Sequence, residues 1–265
     1  MKIALGQMHI RWEDKAANLG RVENWMKLLK EKNIDLFTLP EMSLTGFSMH
    51  TELTKETDKI TVAEAEKFAR NYQMAVGIGW VKDEGKFCEN RYSIVTPEGE
   101  ILEYTKLHPF SYSGEDRYFQ GGTVLPVCEY RGYHLGVQIC YDLRFPETFQ
   151  ALSRQADLIL VPANWPGRRR EHWISLLQAR AIENQCYIAG VNCVGDMDGQ
   201  TYTGDSRLYG PDGMLCSGEI LTPADAQPGE CAFIYEIDDQ VKKVRTQFPV
   251  KKDRRDALYR QFYEV

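Results

Sequence analysis

No apolar run in this 265-residue chain approaches the ~18 residues that a membrane-crossing helix needs. The first residues, MKIALGQMHI, start straight into a strand pattern, so no signal peptide is expected. The seven cysteines (88, 128, 140, 186, 193, 216 and 231) are odd in number and none stands in a C-x-x-C pair. That argues against a disulfide framework or a zinc site and predicts a reduced, cytoplasmic compartment. No Asn-x-Ser/Thr acceptor occurs, which agrees. A Walker A loop, a G-x-G-x-x-G turn and a G-x-S-x-G nucleophile elbow are all missing, which disfavours P-loop, dinucleotide-binding and serine-hydrolase chemistry. No Gly/Ser-rich or Pro-rich linker divides the chain. The net charge of −6 and the pI near 5.5 give no basic field for nucleic acid. With 43% hydrophobic and 26% charged residues, the chain is neither disordered nor fibrous, and its length buries a sizeable core without staples.

What is present reads as strands alternating with helices. Lys2–Gln7 and Asp35–Leu39 are short apolar strands, the second stopped by Pro40. Between them Leu19, Val22, Trp25, Met26 and Leu29 recur at helical spacing, which predicts a helix over Ala16–Lys32. A helix over Thr61–Asn71 and strands over Met74–Val81, Asn90–Thr96 and Ile101–Tyr104 follow. The second half repeats this grammar: strand His134–Ile139, helix Pro146–Arg154, strand Asp157–Pro162, helix Arg169–Asn184, and strands Tyr187–Cys193 and Ser206–Tyr209. Asp157-Leu-Ile-Leu-Val-Pro162 echoes Asp35-Leu-Phe-Thr-Leu-Pro40, and Pro211-Asp-Gly echoes Pro97-Glu-Gly. Near-constant offsets between the echoes point to an internal duplication of a β-α-β-α-β-β unit. Two such halves packed sheet on sheet make a four-layer α-β-β-α sandwich, a single domain over residues 1–265. Residues 241–265, rich in Lys and Arg, read as a solvated, arm-like extension lying on the body or on a partner subunit.

In α/β sheets, function gathers just past the carboxyl ends of strands. Glu41, Lys106, Cys140, and Asn164 with Trp165 stand at four such ends. Partial burial would raise the Glu41 pKa and suit it to general-base work. Lys106 beside it would stabilise an anion. Cys140, near the start of a helix, is placed for thiolate stabilisation by unpaired N–H groups, and the next backbone N–H, that of Tyr141, is placed for an oxyanion. A papain-like alternative pairs Cys140 with His172 and Asn192, but His172 falls in a predicted helix.

Three segments then carry a resemblance: Leu39-Pro-Glu41-Met with Gly46-Phe47, Tyr104-Thr-Lys106-Leu-His108-Pro-Phe110, and Cys140-Tyr-Asp-Leu-Arg144-Phe-Pro146-Glu147. In this order they resemble the signature blocks of the nitrilase superfamily, the carbon–nitrogen hydrolases, and the likeness runs through nearly the whole chain. It is most similar to the omega-amidase branch, which cleaves the terminal amide of small keto-dicarboxylate monoamides to a carboxylate and ammonia. The resemblance implies an α-β-β-α sandwich, no metal or organic cofactor, and homodimers or higher homo-oligomers. It makes Cys140 the nucleophile of a thioester mechanism, Glu41 the base, and Lys106 with the Tyr141 N–H the oxyanion holders. Glu115 becomes the second glutamate, positioning substrate or the lysine. Arg144 is expected to pair with a substrate carboxylate, its alternative being a salt bridge to Asp142 or Glu147. Phe110, Tyr112, Asn164 and Trp165 are the candidate pocket residues. The run Arg168-Arg169-Arg170 at a helix start sits where the helix dipole disfavours cations, which hints at an anion or an acidic surface nearby, its alternative being a solvated face. Other members of the superfamily act on N-carbamoyl compounds, deaminated glutathione or nitriles, and a binding protein on the same fold is the non-enzymatic alternative. Such a protein is expected to lose Glu41, Lys106 or Cys140, and none is lost.

Overall fold

The structure is a computed structural model and describes residues 1–264. Its first run is β1 (Lys2–Gln7), α1 (Lys15–Lys30), β2 (Leu36–Thr38), α2 (Thr51–Thr54), β3 (Lys55–Glu56), α3 (Ile60–Tyr72), β4 (Ala75–Asp83), β5 (Cys88–Thr96) and β6 (Gly99–Thr105). The second is β7 (Val127–Tyr130), β8 (Tyr133–Val137), α4 (Pro146–Leu152), β9 (Leu158–Ala163), α5 (Arg170–Asn184), β10 (Tyr187–Asn192), a hairpin of β11 (Val194–Met197) and β12 (Gln200–Thr203), and β13 (Arg207–Tyr209). The chain ends with β14 (Glu219–Leu221), β15 (Cys231–Glu236), α6 (Gln240–Gln247) and α7 (Asp256–Tyr263).

Alternation along the strands builds the layers. On β1, Ile3 and Leu5 face the space between two sheets, while Ala4 faces α1 and α3. On β9, Leu158 and Leu160 face that same space, and Ile159 and Val161 turn to α4 and α5. Side chains at i and i+2 share a strand face, so each central strand feeds two cores. Three apolar layers therefore hold four layers of secondary structure, α-β-β-α.

The duplication is visible in the topology. One sheet contains the order β15-β1-β2-β4-β5, the other β7-β8-β9-β10-β13. Both paths read antiparallel, parallel, parallel, antiparallel. The echoed aspartates do the same job twice. Asp35 Oδ2 accepts from the Lys2 N–H at 2.7 Å, and Asp157 Oδ2 from the His134 N–H at 3.0 Å. Each thereby fixes the register between the first and second strand of its half. The symmetry departs from the sequence reading in one respect. The strand matching β7 is β15, supplied from the far end of the chain. Pro162 also lies inside β9, where Pro40 ends its strand. Leu160 faces β8 and accepts from Gln138 N–H, so Pro162, two residues on, faces the side where β8 has stopped and removes no ladder donor.

The C-terminal segment is not merely solvated. Val241 is buried, Arg245 donates to the Gln185, Ser153 and Ala156 carbonyls, and Lys251 donates to the Ser153 carbonyl at 2.6 Å. These bonds satisfy carbonyls past the ends of α4 and α5, where cations are favoured. No helix among the described residues is long and apolar enough to cross a membrane.

Candidate active site

Glu41, Lys106 and Cys140 converge from three strand ends. Glu41 follows β2, Lys106 follows β6, and Cys140 opens a short 3₁₀ turn (Cys140–Arg144) after β8. Cys140 holds φ at +47°, a left-handed conformation that is strained for a side chain of this kind. The sharp turn lifts the thiol out of the sheet to the wall of a cavity of about 210 Å³, which Lys106, Tyr141, Arg144, Phe110, Asn164 and Trp165 also line.

The polar groups behind the thiol form a closed network. Lys106 Nζ donates to Glu41 Oε1 at 2.8 Å and to Glu115 Oε2 at 2.8 Å. Asn90 Nδ2 bridges the same two carboxylates, at 2.8 Å to Glu41 and 3.1 Å to Glu115. Glu41 Oε2 accepts from the Asn164 N–H at 3.0 Å, and Asn164 Nδ2 donates back to the Glu41 carbonyl at 2.6 Å. Glu115 also accepts from the Phe110 N–H. Every carboxylate oxygen is thus paired, as burial demands.

Electrostatics follow from this packing. Burial would push Lys106 down, but Glu115 and Glu41 outweigh it and hold the ammonium well above its usual range. Burial, helped by the Glu41 charge, raises Glu115 against the pull of Lys106. The Cys140 thiol is pushed well up by burial and then by Glu41, with Lys106 opposing. This corrects the expectation of a helix-stabilised thiolate. Burial and the neighbouring Glu41 charge both favour the thiol form over the thiolate, with Lys106 opposing.

Asp142 holds the nucleophile turn. Its Oδ2 accepts from the Ile139 N–H at 3.0 Å and from the Tyr104 hydroxyl at 2.8 Å. Its Oδ1 accepts from the His108 N–H at 3.0 Å. One buried carboxylate therefore joins the Cys140 turn to the segment after Lys106. Asp142 is fully engaged there, and among the described residues Glu147 meets only the Tyr263 hydroxyl, so Arg144 pairs with neither. Arg144 instead lies over the Trp165 ring, 4.8 Å from its centroid, with Nη2 at 3.3 Å from His172 Nδ1. That contact turns His172 toward Arg144, and Asn192 is bound to Trp165, which removes the papain-like arrangement.

Two expectations change. Tyr112 is 77% exposed and does not line the cavity. It stacks on the outer side of Phe110 at 5.8 Å, because the 3₁₀ turn Ser111–Ser113 carries it outward. The arginine run divides: Arg170 pairs with Asp205 and Glu171, while Arg168 and Arg169 line the cavity mouth. Sequence reasoning missed Asn90, Asp142 and the lining residues Trp12, Phe47 and Tyr202. Asn90 lies within a strand and Asp142 beside the thiol, and only tertiary contact reveals their work. Phe47 closes the site beneath Lys106, whose Nζ is 5.1 Å from its centroid.

A family model described as carbon-nitrogen hydrolase matches residues 2–243. An omega-amidase, YafV of Yersinia enterocolitica, is 35% identical over 96% of this chain and 96% of its own. A 2-oxoglutaramate amidase of Bacillus subtilis is 30% identical over 96% of this chain and 97% of its own. The crystal structure of XC1258 from Xanthomonas campestris, a CN-hydrolase superfamily protein with an arsenic adduct in its active site, aligns with a TM-score of 0.86 at 30% identity, over 96% and 97% of the two chains. With its fold, its glutamate–lysine–cysteine cluster and these full-length likenesses, the chain belongs to the carbon-nitrogen hydrolase family and is a hydrolase of non-peptide carbon–nitrogen bonds.

Proposed function

We propose that the protein is an amidase that releases ammonia from the terminal carboxamide of a small carboxylate-bearing substrate, as an omega-amidase does. Glu41 takes the proton from the Cys140 thiol as sulfur attacks the amide carbon. The oxygen that gains the electron pair is held by the Lys106 ammonium and by the Tyr141 N–H. Glu41 returns its proton to the leaving nitrogen, the carbon–nitrogen bond breaks, and ammonia departs from a Cys140 thioester. A water, deprotonated by Glu41, then attacks the thioester. The substrate leaves as a carboxylic acid, which ionises, and Cys140 recovers its proton. Glu115 and Asn90 hold Lys106 and Glu41 in place throughout.

One observation carries the choice of an acidic substrate. Arg144 lines the cavity that holds the nucleophile and forms no ion pair with a carboxylate among the described residues. The omega-amidase and 2-oxoglutaramate amidase names of the relatives support the same reading. A homodimer or higher homo-oligomer, acting on a small molecule without cofactor, completes it.

The test is ammonia release from α-ketoglutaramate, glutamine, asparagine, simple nitriles and N-carbamoyl compounds, with Cys140→Ala as control. Release from α-ketoglutaramate that vanishes in Cys140→Ala is the expected result. A wild-type protein silent on every amide and carbamoyl compound overturns the enzyme reading. Full activity in Cys140→Ala removes the nucleophile.

A further inference from the structure

Two guanidinium groups share the cavity wall without an acid between them. Arg144 lies on Trp165, and Arg169 lies 5.4 Å from the centroids of both Phe110 and Tyr112. Arg144 also has Nη2 at 3.3 Å from His172 Nδ1, and its other N–H groups and those of the Arg169 guanidinium meet no carboxylate among the described residues. The adjacent Arg170, by contrast, meets two. Asp198, the one acid on the cavity lining among the described residues, pairs with neither Arg144 nor Arg169. The two cations feel each other: after burial, the Arg169 charge is the next cause that lowers the Arg144 pKa.

Such an arrangement is costly when empty. A half-buried cation beside a like charge loses hydration and gains repulsion. Arginines that serve structure in this chain look different. Arg180 donates to the Leu143 carbonyl and pairs with Glu183, and Arg245 caps three carbonyls. Arg169 in addition stands just before α5, at the end of the helix where a cation is disfavoured. An anion seated between the two arginines reverses each of these terms.

We propose that Arg144 and Arg169 form a two-guanidinium clamp on a single carboxylate at the far end of the substrate, and that Arg169 is the specificity-determining half of it. This rests on the amidase reading above. A carboxylate offers two oxygens and about four lone-pair directions, enough for two forks. Its other end then points into the cavity toward Cys140. Arg168, exposed at the mouth, contributes steering and not the clamp.

The experiment compares α-ketoglutaramate with its methyl ester, which keeps the shape and removes the charge. Wild type, Arg144→Met, Arg169→Met, Arg169→Lys and the double variant are assayed for kcat and KM. Arg169→Met should raise KM for the acid roughly 10- to 100-fold, with kcat within a few-fold and the ester nearly unaffected. Arg169→Lys should recover only part of the loss, since an ammonium is a point charge and not a fork. The double variant should lose less than the product of the single losses, because the two share one ligand. Iodoacetamide labelling of Cys140 reports an intact cavity. If Arg169→Met does not fold, the Arg169→Lys KM decides. An unchanged KM in a folded Arg169 variant, beside a raised KM in Arg144→Met, overturns the clamp and leaves the acidic-substrate reading standing. A wild-type enzyme indifferent to the distal charge overturns that reading itself.

Discussion

Lys106 Nζ and Glu41 Oε1 lie 2.8 Å apart with both side chains buried, 1% and 0% exposed. Glu115 completes the group, so one ammonium separates two carboxylates. Lys106→Met removes the cation and leaves two acids bridged by Asn90 alone. Removing one partner of a buried ion group costs about 3–5 kcal/mol, which corresponds to a melting point lower by about 10 °C at neutral pH. The sign of the pH effect follows. Burial already raises the Glu115 pKa against the pull of Lys106, so without Lys106 the folded Glu115 binds a proton more tightly than the unfolded one. The variant therefore gains on wild type as pH falls from 7 to 5. Thermal melts at the two pH values check both statements, and a variant as stable as wild type at pH 7 contradicts them.

The thiol should behave as a thiol. Burial and Glu41 raise the Cys140 pKa, so alkylation by iodoacetamide should keep accelerating above pH ~8.5 with no plateau near neutrality. Glu41→Gln removes one raising charge and should move the rate profile to lower pH. Mass-spectrometric labelling of Cys140 across pH 6 to 10 measures this. A plateau below pH 7 in the wild-type protein would mean a resting thiolate and an ion pair in place of the acid–base pair described.

How much of this was legible in the sequence depends on range. Glu41, Lys106 and Cys140 each stand just past the end of a strand, and that local pattern marks them. The duplication was legible because Asp35 and Asp157 are bound by the same local rule to the strand beside them. Arg144 was visible as a residue but not as a free one: only folding shows Asp142 spent on Ile139, Tyr104 and His108. Asn90 carries no local signal, since a polar residue alternating in a strand usually faces water. β15 was missed because its pairing with β1 joins residues such as Lys2 and Glu236, from the two ends of the chain. Residue type alone points Tyr112 to the pocket, and a turn of three residues sends it outside.

Lys251 gives a pH effect of the opposite kind. Burial first, and then Arg245, lowers its pKa to about 8, while the ammonium is held by Ser153. A lysine in an unfolded chain titrates near ~10.4. The folded state thus disfavours the charged form, and this penalty, full below pH 8, fades as pH rises toward 10. Relative to Lys251→Met, wild type should gain about 1–2 kcal/mol across that window, a figure reduced for its partial exposure. Urea unfolding of both proteins at pH 7 and pH 10 measures the gap. A gap that is constant, or that closes in the other direction, removes the assignment.

Two glycines should respond to alanine in opposite ways. Gly79 sits on β4 beneath the turn that carries Glu41. A Cβ there would stand 2.4 Å from Met42 N and 3.0 Å from the Glu41 carbonyl carbon, both of them backbone. The turn is also bound to this residue, Ser43 N–H donating to the Gly79 carbonyl at 3.0 Å and Gly79 N–H to Ser43 Oγ at 2.8 Å. Gly79→Ala must therefore push the turn away, and Glu41 with it, out of line with Lys106 and Asn164. A displacement approaching 1 Å costs about 100-fold in rate, and the overpacking about 1–3 kcal/mol in stability. Gly20, exposed in α1, has nothing within 4 Å of its Cβ position. Gly20→Ala should raise stability by about 0.5–1 kcal/mol at unchanged rate, because alanine is the better helix former. Assays and melts on the two variants separate a glycine that the site needs for close approach from one that only loosens a helix. A Gly79→Ala enzyme with wild-type kcat would show that the Glu41 turn does not depend on that approach.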